Sequence, residues 1–95
     1  MTVQIEEITK DTSYYIEQEY KKVFHVTMKN CNTVGEIKKR RGKKAKIWTV
    51  NILKRSDPLY EEYIDTFYTL RDAKQITVDI IETRCTQEYI GLSED

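Results

Sequence analysis

The stretch TLRDAKQITVDIIETR, residues 69–84, decides the fold class of this chain. Its apolar side chains and one threonine recur every three or four residues, which places them on one face of an α-helix. Thr69 followed by Asp72 fits a capping box, in which the threonine hydroxyl accepts a hydrogen bond at the helix start. The predicted helical face consists of Leu70, Ala73, Ile76, Thr77, Ile80 and Ile81. Such a face needs a partner to cover it.

Residues upstream of the helix alternate as strands do. Tyr63–Tyr68 is rich in β-branched and aromatic residues, and is predicted to enter the helix as a strand. A helix that begins at Pro58 stays open as an alternative for the same residues. Val23–Met28 alternates as a strand, whereas Ser13–Lys22 suits either a strand or a helix.

A β-hairpin is predicted in the middle of the chain. Val34–Arg40 and Lys44–Leu53 would be its strands. Gly42 lies between them, where a tight turn needs a positive φ. The second strand places Trp48 and Val50 on one face. This hairpin would carry its basic residues at the tip.

Together these segments predict an α+β fold, with a three- to four-stranded antiparallel sheet and one long C-terminal helix packed on one face. The 95 residues contain no repeat and no Gly/Ser-rich linker, which fits a single domain over residues 1–95. Residues 1–10 and 91–95 are expected to fray.

Charge is spread unevenly along a chain whose net charge is zero. Residues 1–36 carry 4 basic and 6 acidic groups, residues 37–55 carry 9 and 0, and residues 56–95 carry 3 and 10. The zero balance therefore hides a strongly basic middle segment and an acidic second half, and a polyanion would meet the middle segment first.

The basic run Lys38–Lys46 holds 7 cations in 9 residues. A polyanion would relieve their mutual repulsion and release its own counterions on binding. Trp48 would add a stacking surface for a base. We therefore expect a non-enzymatic protein that contacts the backbone of DNA or RNA, without sequence-specific readout. The expected contact residues are Lys38, Lys39, Arg40, Arg41, Lys43, Lys44, Lys46, Trp48 and Lys54.

Other interpretations stay open. The basic run also suits a solvated hairpin tip or an acidic protein partner. The acidic half suits a protein-interaction module, such as a phage-type inhibitor or regulator, that docks through Glu61, Glu62 and Asp65 or through aromatic residues. These carboxylates could hold Mg²⁺ or Ca²⁺, but no EF-hand pattern is present and a solvated acidic face is favoured. An exposed sheet edge would also allow a homodimer.

No motif for catalysis, a metal or a cofactor is found in the sequence, so none is predicted. His25 is the single histidine. A nuclease-like site would need a second group beside it, such as Lys22, Tyr20 or Glu17. A half-buried strand histidine is the favoured interpretation.

The two cysteines are predicted to be reduced thiols in a cytoplasmic protein. Cys31 and Cys85 lie far apart in sequence, and Cys31 is expected in an accessible loop. The N-terminal MTVQIEEITKD is acidic and lacks the features of a signal peptide. No apolar run approaches the roughly 18–20 residues that a membrane span needs.

From Trp48–Val50 (WTV) to Phe67–Lys74 (FYTLRDAK), the chain resembles the AP2-like arm-binding domains of phage integrases. The resemblance covers about residues 44–74 and lies in two strands followed by a threonine-capped helix. It implies a sheet laid in a DNA groove, with Lys46, Trp48, Val50 and Lys54 near the ligand. The acidic end of the segment 54–62 departs from the family pattern. The overall composition is similar to that of small bacteriophage accessory proteins.

Overall fold

The computed structural model describes residues 2–8, 20–40 and 47–93. These residues form five β-strands and one helix: β1 (Val3–Glu7), β2 (Tyr20–Met28), β3 (Thr33–Arg40), β4 (Trp48–Lys54), β5 (Asp57–Phe67) and α1 (Leu70–Ser93). The strands make one antiparallel sheet in the order β1-β2-β3-β4-β5. The predicted α+β class is confirmed, with five strands in place of three or four.

The additional strand is β1, in a segment expected to fray. Val3 pairs with Met28 and Glu7 pairs with Phe24. The sequence VQIEE of β1 has only two apolar residues, so its own strand pattern is weak. Pairing with the longer β2 provides the order that local propensity does not.

Strand β5 settles the alternative that began at Pro58: the residues form a strand, and the helical alternative is wrong. Pro58 is the second residue of an edge strand, where a missing backbone N–H is tolerated. The register of β5 shifts twice, opposite Val50 and Asn51 and opposite Leu53 and Lys54. Tyr20–Lys22 belongs to β2. Residues 13–19 and the hairpin tip at 41–46 lie outside the described residues.

The core lies between α1 and one face of the sheet. Phe24, Ile37 and Val50 are aligned across the three central strands, and all are buried. The sequence predicted alternating apolar residues in β2 and β4, and the structure places those residues on the helix side of the sheet. The buried cluster consists of Phe24, Val26, Met28, Cys31, Ile37, Trp48, Val50, Ile52, Ala73, Ile81 and Cys85.

The helix begins where the sequence predicted, since the Asp72 backbone N–H donates to Thr69 Oγ1 over 3.1 Å. Its most buried row has a spacing of four residues. The row consists of Ala73, Thr77, Ile81 and Cys85. Ile76, placed on the core face by the sequence pattern, is 37% exposed and lies at the margin of the contact.

The helix and sheet approach each other most closely at Gly35 of β3. A Cβ at this position would collide with Thr77 Cγ2 and lie 3.3 Å from Ile81 Cγ1. Thr77 is fully buried, and its hydroxyl donates to the Ala73 carbonyl oxygen over 2.6 Å. Only glycine leaves room for the helix at this depth.

The cysteines correct the sequence prediction. Cys31 and Cys85 form a disulfide with a Cα–Cα distance of 5.7 Å, so they are not reduced thiols in this structure. Cys31 is 3% exposed and not accessible. Their separation of 54 residues gave no hint of contact. The disulfide joins the turn after β2 to α1.

Gly35→Ala should lower the free energy of unfolding by about 2 kcal/mol, because the added methyl overpacks the contact with α1. Thr77→Ser removes the opposing methyl and keeps the hydroxyl, so the double variant should recover most of the loss. Denaturant unfolding of the wild type, both single variants and the double variant measures this coupling. An equal cost of Gly35→Ala in both backgrounds would contradict the close approach.

Candidate functional site

The first residue of the predicted nucleic-acid contact is buried. Lys38 is 6% exposed, and its Nζ lies 3.1 Å from Oε1 of Glu36, which is 1% exposed. The two residues alternate with Ile37 and therefore lie on the face of the sheet turned away from α1. Lys38 thus pairs within the protein and does not present its charge to a ligand in this structure.

Trp48 also departs from its predicted role. It is 7% exposed and lies on the helix side of the sheet, with its ring centroid 6.0 Å from that of Phe24. Lys39 is half-buried, and its Nζ lies 5.5 Å from the Trp48 ring centroid. The indole is a core side chain, so base stacking on it would require the core to open.

The remaining predicted cations are divided between the surface and the undescribed tip. Lys54 is exposed, with Nζ 4.3 Å from the centroid of the Tyr60 ring. Arg40 ends β3, but its side chain is not among those described. Arg41, Lys43, Lys44 and Lys46 lie outside the described residues.

The alternative acidic residues come together on β5. This strand of 11 residues contains Asp57, Glu61, Glu62 and Asp65, and no lysine or arginine. It stands at one edge of the sheet, because it follows β4 at the end of the strand order. Within the described ranges, no strand pairs with its outer side. β5 is therefore an exposed edge of uniform charge.

Glu62 points to the helix side of the sheet, unlike the adjacent Glu61, which lies opposite Leu53. Glu62 lies opposite Ile52, and Arg84 of α1 donates to its two carboxylate oxygens over 2.7 and 2.9 Å. Tyr60 also donates to Glu62, over 2.8 Å. These bonds, that from Arg84 first, lower the pKa of Glu62 to about 2. This ion pair fastens the edge strand to the helix.

Large side chains stand exposed beside the carboxylates of β5. Leu59 is 92% exposed and Tyr63 is 59% exposed, and the register places Tyr63 and Glu61, opposite Asn51 and Leu53, on the face turned away from α1. Tyr68, just after the strand, is 81% exposed. Exposed Leu and Tyr interleaved with carboxylates make an amphipathic edge.

Two carboxylates satisfy backbone donors near the ends of β5. Asp57 accepts from the Leu59 backbone N–H over 3.1 Å, and Asp65 accepts from that of Thr66 over 2.7 Å. These contacts limit further strand pairing at the ends. The segment 60–64 between them is the part of the edge without such a local acceptor among the described contacts.

A polar row crosses the face of the sheet away from α1. Glu6 lies opposite His25, His25 opposite Glu36, and Glu36 opposite Asn51. Burial lowers the pKa of His25 below 6.5, although the carboxylates of Glu36 and Glu6 oppose the shift, so the imidazole is neutral at pH 7. The half-buried state expected for His25 is confirmed.

The partners considered for a catalytic His25 do not join it in the described structure. Lys22 lies opposite Lys39, on the helix side of the sheet, whereas His25 lies on the other side. Tyr20 has no described side chain, and Glu17 lies outside the described residues. The carboxylates beside His25 belong instead to Glu6 of β1 and Glu36 of β3, and only the strand register places them there.

In comparisons with known proteins, no family model, curated protein or solved structure matches the chain. The resemblance to AP2-like domains therefore stays a prediction. In the described parts of the chain, no helix combines the length and the apolarity that crossing a membrane requires.

Lys38→Met should lower the free energy of unfolding by about 3 kcal/mol, because it leaves the carboxylate of Glu36 buried without its ammonium partner. The matched variant Lys39→Met, on the half-buried neighbour, should cost about 1 kcal/mol or less. Urea unfolding monitored by Trp48 fluorescence compares them. Equal, small losses would show that the Lys38–Glu36 pair is not needed for stability.

Arg84→Gln should return the pKa of Glu62 most of the way from about 2 toward its ordinary 4.5. NMR titration of the carboxyl carbon measures this value, with Arg71→Gln as a control at the other end of α1. Because folding lowers this pKa, the stabilisation by the pair is present above pH 4.5 and is lost as the pH falls through about 2. An unchanged pKa in Arg84→Gln would refute the pairing.

Proposed function

We propose that this chain is a non-enzymatic binding protein that captures an extended, cationic segment of a partner protein along the edge strand β5. The segment would add a strand to the sheet, so that backbone hydrogen bonds give affinity and alternate side chains give specificity. The observation that carries this proposal is the uniform negative charge of an edge strand whose outer side pairs with no strand among the described residues.

The charge pattern of β5 selects the sign of the partner. With Asp57, Glu61, Glu62 and Asp65 and no cation, the strand repels phosphates and attracts lysine and arginine. Glu62 is already neutralised by Arg84. Glu61 and Asp65 are exposed, Glu61 on the face away from α1 and Asp65, opposite Val50, on the other face.

The exposed side chains on one face of β5 define the partner further. Glu61 and Tyr63 lie on the face away from α1, opposite Leu53 and Asn51, and the exposed Leu59 precedes them in the strand. A partner strand opposite them would carry an apolar residue, a cation and an apolar residue at alternate positions. Aromatic and apolar anchors in such a row contribute contact area at protein interfaces.

Contacts on its helix side hold β5 in place. This favours binding, because less conformational entropy is lost when a partner strand is added. Arg84 holds Glu62 with two hydrogen bonds, and Lys54 lies over the Tyr60 ring. Both contacts act on the helix side of β5. The exposed residues Leu59, Glu61 and Tyr63 are therefore carried by a strand whose helix side is held by these contacts.

Self-pairing is disfavoured by the same charges. Two copies of β5 aligned antiparallel about Glu61 would place Glu61 opposite Glu61 and Asp57 near Asp65. Like charges directly opposite each other destabilise a strand pair. The other edge strand, β1, carries Glu6 and Glu7 and would repel β5 as well. This pattern supports a different partner over a homodimer.

Nucleic acid is the competing partner class. Of its predicted contact residues, Lys38 and Trp48 are buried and Lys39 is half-buried, Lys54 is exposed, and residues 41, 43, 44 and 46 lie outside the described residues. The acidic edge does not contribute to such a contact. A protein partner is proposed because Glu61, Tyr63 and Asp65 are exposed along one acidic edge strand.

The probe for the proposal is the peptide KTVTKTVTK, whose pattern reads the same in both strand directions. It places lysine opposite Glu61 and valines opposite Leu59 and Tyr63. The control KTVPKPVTK keeps every charge but removes backbone donors. Fluorescence anisotropy at low ionic strength should detect the first peptide, with at least about tenfold weaker binding of the second.

Glu61→Lys combined with Asp65→Lys should weaken the first peptide at least about tenfold, whereas Asp79→Lys with Glu82→Lys, the same charge change on the exposed side of α1, should have little effect. Circular dichroism checks folding. The protein-partner proposal fails if both pairs act equally, or if the chain binds a single-stranded or duplex oligonucleotide with salt-sensitive affinity but not the peptide.

A further inference from the structure

Three chemically active side chains converge where α1 meets the turn after β2. The sulfurs of Cys31 and Cys85 and a carboxylate oxygen of Glu88 lie within 4.8 Å of one another. Both cysteines are buried, and Glu88 is half-buried. The sequence analysis found no link among these residues, because 57 positions separate Cys31 from Glu88.

Glu88 is held by donors that do not involve the disulfide. Its Oε1 accepts from the Asn32 backbone N–H over 3.2 Å, and its Oε2 accepts from Thr33 Oγ1 over 2.8 Å. Both donors belong to the segment that follows Cys31. The carboxylate therefore fastens α1 to the same place that the disulfide does.

The same Oε2 lies 3.0 Å from Cys31 Sγ. A sulfur in a disulfide carries no hydrogen, so in the oxidised protein this contact joins two electron-rich atoms without a proton between them. A thiol at the same place would donate S–H to the carboxylate, a charge-assisted hydrogen bond. The position of Glu88 therefore favours the dithiol over the disulfide.

We propose that Cys31, Cys85 and Glu88 form a clamp with two closed states, covalent when oxidised and hydrogen-bonded when reduced. Formation of the S–S bond releases two electrons and two protons, which convert a small-molecule disulfide into two thiols; a dithiol reductant reverses the reaction. Glu88 is a positioning residue that shifts this equilibrium. The clamp uses no contact of β5 and does not depend on the proposed function.

The two states have one structural consequence. Because Asn32 and Thr33 bind Glu88 independently of sulfur chemistry, reduction leaves the second half of α1 docked on the turn and adds a thiol donor to the same carboxylate. The chain would keep its fold in both oxidising and reducing surroundings. Replacing Glu88 would remove the hydrogen bond donated by the Cys31 thiol, and only the reduced form has that bond to lose.

The test is a redox titration of the wild type and Glu88→Gln in mixtures of reduced and oxidised dithiothreitol, with a metal chelator present. Alkylation and mass spectrometry count the free thiols. Half-reduction of Glu88→Gln should require an about tenfold higher ratio of reduced to oxidised reagent, equivalent to about 30 mV for a two-electron couple. Glu82→Gln, an exposed carboxylate on the same helix, should titrate as the wild type does.

Denaturant unfolding of each protein in its oxidised and reduced forms completes a thermodynamic cycle with the redox titration. Glu88→Gln should destabilise the reduced form more than the oxidised form by the same about tenfold factor in the unfolding constant. Thr33→Val removes an anchor but keeps the carboxylate, and should weaken both forms alike. Equal effects of Glu88→Gln on both forms, or rapid amide exchange across α1 after Cys85 once the wild type is reduced, would overturn the clamp.

Discussion

The close contact between Gly35 of β3 and Thr77 of α1 is the constraint on which the other parts of the structure depend. It allows the helix to lie against the central strand, where any Cβ on the strand would hold it away. Once the helix is seated there, its four-residue row continues to Cys85 and sets the helix rotation. That rotation turns Arg84 toward β5 and brings Glu88 to the turn after β2. The edge strand and the clamp are thus both positioned from one point of packing.

The uneven charge of the sequence acquires a different meaning in the folded chain. Lys38 and Lys39 begin the basic run, but each interacts within the protein. Lys38 pairs with Glu36, and Lys39 lies over the Trp48 ring. The acidic half is divided as well, since Glu62 pairs with Arg84 while its neighbour Glu61 stays in solvent. Counting charges along the chain treats them as equivalent, but burial and pairing decide which charges a partner would meet.

The sequence predicted the helix, its threonine cap, the strands β2 to β4 and the part of β5 from Tyr63 onward in kind, because each of these has a clear side-chain period or a turn signal. It did not predict β1, whose order comes from pairing with β2. It also placed Ile76 in the core, because period alone does not say how a helix is rotated on a sheet. In the candidate site, Glu61 and Asp65 were named from composition. The partner of Glu62, the pairing of the cysteines and the role of Glu88 required contacts between residues distant in the chain.

What the sequence by itself determined is local: which segments are helical or extended, where the helix begins, and that cations and carboxylates are separated along the chain. What only the tertiary structure decided is which side chains share a place. Alternation assigns Lys38 to the face opposite Ile37, but it does not say whether that face is in water; in the structure Lys38 is buried. Sequence separation likewise says nothing about the approach of Cys31 to Cys85 across 54 residues. The physical reason is that periodicity arises from backbone geometry within one element, whereas burial and pairing arise from how elements pack.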